Sequence, residues 1–348
     1  MNPVLEKLAE WRDMIADRLP ATGLVRWVVV ALALYLLGAL LVGMYWSMAP
    51  AQFDVREQAR ELAARENAEV VTGSATTAAM IGVMETLLEK PGGFLRNDRF
   101  PPGVWLDNMP NWEYGVLIQV RDIARALREV LSRSQSQSRE DPDLANAEPN
   151  FNFNADSWML PASESEYRSG LDYSLSYFRR LSNPQAQDAQ FFARADNLNY
   201  WLSTVESRLG SLSQRLSASV GQVRVNTDLA GDEMATQSTS TAAEQVVRTP
   251  WTEIDDVFYE SRGTAWALIH FLKAAEVDFA DVLEKKNARV SLSQIVRELE
   301  ATQEVIWAPV ILNGSGFGVL ANHSLVMASY ISRANAAIID LRGLLSDG

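Results

Sequence analysis

The sequence contains no cysteine. That excludes disulfides, thiolate catalysis and cysteine-ligated zinc or iron–sulfur sites. It also fits an oxidising compartment, where a stray thiol is a hazard. Histidine is nearly absent: His270 and His323 are the two. Neither lies in an H-E-x-x-H pattern, so each reads as a core or surface residue rather than a metal ligand. A net charge of −13, with no Lys/Arg cluster, leaves the chain without the basic footprint that nucleic acid requires. No G-x-S-x-G elbow occurs. "NGSGFG" (Asn313 to Gly318) lacks the Lys-Ser/Thr of a P-loop and follows no strand, so it reads as a turn into the last helix. No stretch shows sustained alternation of β-branched residues, so no sheet is expected. No cofactor and no metal are implied.

One long apolar run is present. "WVVVALALYLLGALLVGMYW" (Trp27 to Trp46) is twenty residues without a charge. At about 1.5 Å per residue it spans roughly 30 Å, the thickness of a bilayer's hydrocarbon core. Trp27 and the Tyr45–Trp46 pair stand at its ends, where amphipathic rings favour the interface. A cleaved leader would have a shorter apolar region, and Ser47-Met48-Ala49-Pro50 puts a proline at the cut. Residues 27–48 are therefore expected to be a transmembrane helix in contact with lipid. Lys7, Arg12, Arg18 and Arg26 precede the span, whereas the next cation after Trp46 is Arg56. The positive-inside rule places 1–26 in the cytoplasm and the rest outside, the periplasm of a Gram-negative cell. "VLEKLAEWRDMIADRL" (Val4 to Leu19) is amphipathic and reads as a segment lying on the inner leaflet or on a cytoplasmic partner.

Beyond the span the periodicity is helical. Phe191, Ala195, Leu198, Leu202, Val205, Leu209, Leu212 and Leu216 recur at alternating steps of four and three, an apolar heptad seam. A second seam runs Trp251, Ile254, Phe258, Ser261, Ala265, Leu268, Leu272, Ala275, Phe279, Val282. A third runs Leu292, Ile295, Leu299, Thr302, Ile306, with Ser291 as its expected N-cap and Pro309 as its stop. Further helices are expected over 54–89, 112–134, 164–182 and 320–346, the last with Leu325, Tyr330, Ala334, Ile338, Leu341 and Leu345 on its apolar side. The fold class is all-α: long, heptad-patterned, nearly antiparallel helices in a bundle. One seam is alternatively a homodimer interface, although there are enough internal helices to satisfy one another. Two polar stretches divide the chain. Residues 134–156, rich in Ser, Gln, Asn, Asp and Pro, read as a linker between a membrane-proximal region (49–133) and a distal bundle (157–348). Residues 228–245 read as a loop.

"KPGGFLRNDRFPPGVWLDNMPNWEYG" (Lys90 to Gly115) breaks the helical pattern with four glycines and four prolines. Within the ordered loop 90–113, Arg96, Asn97, Asp98, Trp105, Asp107, Asn108 and Trp112 form the candidate ligand- or partner-binding set. Tryptophan beside Asp and Asn suits a glycan, and Asp98, Asp107 and Glu113 are the carboxylates available for acid–base work on a glycosidic bond. The simpler reading is an ordered corner. Pro91-Gly92-Gly93 stops a helix; Phe94, Leu95, Phe100, Trp105 and Met109 plug into the bundle; Asp98 or Asn108 satisfies turn N–H groups; and Asn111 caps the next helix.

"GGFLRND", "PPG", "DNMPNWEYGVL" and "NGSGFGVLANHSLVMASYISRANAAI" together resemble a family of proteobacterial inner-membrane proteins known only as a domain of unknown function. The resemblance covers nearly the whole chain and implies no reaction, substrate or cofactor. The resulting expectation is a membrane-anchored periplasmic scaffold or accessory subunit of an envelope assembly, working through a protein partner or as a homo-oligomer. The alternative is a cell-wall glycan-binding or glycan-cleaving protein that uses the 92–113 loop.

Overall fold

The structure, a computed structural model, describes residues 23–134, 139–183, 189–225, 244–307, 310–314 and 319–347. The amphipathic stretch 4–19, Pro309 and most of 228–245 lie outside them. The described protein is mostly helical. Its first helix, α1 (Gly23–Trp46), is long and apolar enough to cross a membrane, and almost none of it is buried.

The body begins with α2 (Val55–Arg65), whose first N–H groups are capped by Asp54. Helix α3 (Ser74–Glu89) follows, so 54–89 is two helices, broken at 66–73, rather than one. Gly73, in the left-handed region, has no side chain to cap α3. Asp278 does so from a distant helix, accepting from the N–H groups of Gly73 (2.8 Å) and Thr76 (2.6 Å) and from the Thr76 hydroxyl (2.7 Å). Helix α4 (Asn108–Ala126) runs on through a wider turn at Leu127–Leu131.

Residues 139–156, read from composition as linker, are built into the body. Asp141 caps α5 (Pro142–Phe151), with proline at its start, and Leu144, Ala147 and Phe151 are buried. Arg180 of α6 (Ser163–Leu181) ties Asp141 and Asp143 in place, both at 2.7 Å. Three buried apolar residues in ten are too few to lift the segment above its polar composition.

Helix α7 (Ala195–Ser217) buries Leu198, Leu202, Val205, Leu209, Leu212 and Leu216, six of the eight residues of the first seam; Phe191 precedes the helix, and Ala195 at its start is partly buried. A two-stranded antiparallel sheet follows, β1 (Gln222–Val225) against β2 (Glu244–Val247), with Gln222 opposite Val247. The sequence reading missed it because four residues of alternation are too short to register as a period.

Helix α8 (Ile254–Asp278) is the axis of the body, flanked by α3, α4 and α10 (Arg289–Ala301). From Ser261 to Leu272 every residue is buried, so the second "seam" is one side of a helix covered all round, and Trp251 is exposed rather than part of it. The short α9 (Ala280–Lys285) leads into α10, which starts before Ser291; Ala288 holds the cap position. Helix α11 (His323–Ser346) returns along α7. Ser346 reaches Asn199 while Arg342 meets Asn199 and Glu206, so this pair is antiparallel. On α11, Met327 and Ile331 are buried where Leu325 and Tyr330 were expected.

Helices α4 and α8 run in the same direction, against the antiparallel expectation. Trp112 packs at a tilt against Trp266 near one end, and Ile123 and Leu131 enclose a small space with Phe271, Ala275 and Phe279 near the other. Two glycines set their approach. A Cβ on Gly115 would lie 2.1 Å from the Glu260 carbonyl oxygen, and one on Gly263 would lie 1.9 Å from that of Trp112. Only hydrogen at those positions lets the two backbones touch.

Candidate functional site

The loop 90–113 folds against the end of α1. The ring of Trp46 lies where a Cβ on Gly92 would project, at 2.7 Å, and a Cβ on Gly43 would lie 3.5 and 3.6 Å from the Pro102 and Leu106 side chains. The chain leaving α1 is held as well. The N–H of Phe53 donates to His270 Nε2 (3.2 Å), and His270 Nδ1 lies 2.7 Å from the Trp266 carbonyl, which fixes the proton on Nδ1. The imidazole is buried and stacked on Phe53, and burial pushes its pKa down to about 4. It is a neutral core histidine.

Glu113, on the first turns of α4, organises the loop. It is fully buried and accepts from the N–H groups of Leu95 (2.8 Å) and Arg96 (2.8 Å), with Lys90 Nζ at 2.5 Å. Burial pushes its pKa up to about 6 against the pull of Lys90 and those N–H groups. Lys90, equally buried, also donates to the Gly93 carbonyl. Asn97 bridges the Ser157 carbonyl and Glu164, both at 2.7 Å. Arg96 pairs with Asp156 at 3.2 Å and covers the Tyr114 ring.

Of the remaining candidates, Asp107 holds the start of a helix and Asp98 packs over a glycine, whereas the Asn108 side-chain oxygen and Trp105 are not engaged in this way. Helix α4 starts four residues before Trp112, and Asp107, not Asn111, caps it by accepting from the Asn108 N–H (2.8 Å). Asn111 instead donates to Asp256 (2.6 Å). The Asn108 side-chain oxygen is buried without a partner. Asp98, half-buried and raised in pKa by desolvation and by Glu164, lies over Gly103 so closely that a Cβ there would clash. Phe94, Leu95 and Met109 plug into the core as expected. Phe100 (71% exposed) and Trp105 (54%) do not; Phe100 meets Trp158 edge to face instead.

Behind the loop, where the chain leaves α1, lies a cavity of about 670 Å³. Residues 47–52, Met109, Trp112, Tyr259, Trp266 and Ile306 line it, and Arg262 is its cation. Of the sequence candidates, only Trp112 reaches this cavity. The others were visible as unusual residues in a broken segment, whereas Arg262 sits in an unbroken helix and carries no sequence signal. A second hollow, about 500 Å³, lies between α4, α7 and α8; hydroxyl and amide groups, among them Ser203, Ser207, Thr264 and Gln119, share its lining with Arg208, Arg215, Glu260 and the apolar Ile118 and Leu212. Gln119 is fully buried, and neither of its amide atoms has a partner.

These features define a mostly helical protein with one apolar N-terminal helix docked on its body. The chain belongs to a family of uncharacterized proteins conserved in bacteria (DUF2333), whose profile matches residues 20–348. No curated protein and no solved structure matches it.

Proposed function

We propose that this protein is a single-pass inner-membrane platform that presents a periplasmic helical body to another envelope protein, or to a second copy of itself, as a scaffold or accessory subunit. The reading rests above all on the docking of α1. Trp46 and Gly43 pack on the 90–113 loop, and Phe53 is bonded to the central helix, so the anchor sets the orientation of the body rather than tethering it loosely. The cations Lys7, Arg12, Arg18 and Arg26 ahead of α1 support an N-in topology. Phe100, Trp105 and Trp158 suit the lipid–water interface beside the last turn of α1. The heptad seam of α7, turned toward α11, is a short antiparallel coiled coil on this reading.

The loop serves as a structural corner. Glu113, Asp107 and Asn97 are engaged in holding the chain, which favours docking over acid–base chemistry. Crosslinking in intact cells, followed by identification of the attached protein, tests the proposal. A stoichiometric envelope partner or a self-crosslink supports it. A protein that is never crosslinked, and that purifies alone from mild detergent, overturns it.

A second reading, binding of a polyhydroxylated ligand such as a glycan, is favoured by the hollow around Gln119. Its hydroxyl lining and free amide can bond sugar hydroxyls. Titration with cell-wall glycan fragments checks it: binding that Gln119→Leu abolishes in a folded protein supports this reading, and absence of binding removes it.

A further inference from the structure

The cavity at the foot of α1 is apolar over most of its wall, with Met109, Trp112, Tyr259, Trp266 and Ile306 contributing. Its volume falls in the range of small-molecule pockets. One wall is residues 47–52, the chain just released from an apolar helix long enough to span a bilayer. On the membrane-anchored reading above, which this inference rests on, the cavity lies at the level of the membrane surface and within reach of lipid.

Arg262 makes the cavity more than a packing gap. It is only 9% exposed, yet no carboxylate of the described residues forms an ion pair with it. Its two Nη atoms donate to the carbonyls of Glu304 (3.0 Å) and Gln303 (3.1 Å), which are neutral. A guanidinium carries five N–H donors, and its positive charge stays uncompensated there. Burial alone pulls its pKa below the ordinary arginine value. Three other arginines beside this core are matched by carboxylates: Arg215 has Glu260, Arg208 has Asp122 and Arg180 has Asp141. Arg121, which likewise donates to carbonyls (Phe151 and Phe153), is less buried than Arg262. A buried cation without a counter-ion is costly, and an anionic ligand removes that cost.

We propose that the cavity binds an anionic acyl amphiphile, its hydrocarbon chain among Met109, Trp112, Trp266 and Ile306 and its charged oxygens on Arg262. The head is a phosphate or a carboxylate, since both match a guanidinium fork.

The test uses the full chain, purified in mild detergent and in lipid nanodiscs, with bound lipid counted by native mass spectrometry. The probes are phosphatidylglycerol, palmitate and phosphatidylcholine, offered separately. Retention of one phosphatidylglycerol or one palmitate, at least about tenfold over phosphatidylcholine, supports the site and tells which head it takes. Arg262→Gln is expected to abolish that preference while the far-ultraviolet circular dichroism is unchanged. Ile306→Trp, which fills the cavity and leaves Arg262 in place, is expected to lose every bound lipid. Equal retention of anionic and neutral lipids by the wild type, or undiminished retention by folded Ile306→Trp protein, overturns the proposal. Entry into nanodiscs is scored separately: failure to enter counts against the membrane reading, whereas the detergent arm still decides the lipid site.

Discussion

Gly263 of α8 lies against the backbone carbonyl of Trp112 on α4, so closely that a methyl group would sit 1.9 Å from the oxygen. That contact holds α4 and α8 together and places Trp112 and Trp266 in the wall of the cavity. Gly263→Ala must push the helices apart. A loss of about 3 kcal/mol or more is expected by urea denaturation, toward the top of the overpacking range. Gly343→Ala, on α11 with open space around it, serves as the control and should change stability little. Equal stabilities for the two variants would show that the helices are not in backbone contact.

Glu113 and Lys90 form a buried pair inside the loop. Glu113→Ala removes the charge that matches Lys90 and the acceptor for two backbone N–H groups. The expected loss is about 3–5 kcal/mol, because an unmatched buried charge remains. Adding Lys90→Met should restore part of it. A fully functional, equally stable Glu113→Ala protein would mean that the loop is not organised around this carboxylate.

His270 supplies a pH dependence with a definite sign. Its folded pKa, about 4, lies below the ordinary value of 6.5. The unfolded chain thus binds the extra proton first, and stability is lost as pH falls from about 6.5 toward 4. Glu113 and Asp256, each pushed up to about 6 by burial, act in the opposite sense over the acid side of the same window. Comparison with His270→Gln isolates the histidine. Between pH 7 and 4.5 the wild type should lose about 2 kcal/mol more than the variant, at about 1.4 kcal/mol per pKa unit. Parallel pH profiles would rule out a neutral, buried imidazole.

Asp278 caps α3 from another helix. Asp278→Ala leaves the N–H groups of Gly73 and Thr76 without an acceptor inside the body, and about 2–3 kcal/mol should be lost. Hydrogen exchange should rise first at the start of α3. Exchange unchanged there would show that the cap comes from elsewhere.

The proposed topology predicts that a reporter fused to the carboxyl end is active only in the periplasm, and that the chain sediments with membranes after high-salt washing. A cytosolic reporter signal would reverse the orientation assigned from Lys7, Arg12, Arg18 and Arg26.

What sequence alone determined here was local or periodic. The apolar run of α1, the helical content, the leucine face of α7 and the stop at Pro91-Gly92-Gly93 follow from solubility, 3.6-residue geometry and backbone sterics, which act within a few residues. The loop likewise stood out by composition. Tertiary structure decided the rest, because it depends on which distant segments meet. Gly115 and Gly263 are unremarkable glycines until α4 and α8 cross. The polar 139–156 segment becomes body only once Phe151 finds the space left by Gly170. Asp278 becomes a cap only beside Gly73, and Arg262 becomes an unmatched buried cation only when the helices around α8 exclude water and bring no carboxylate to it.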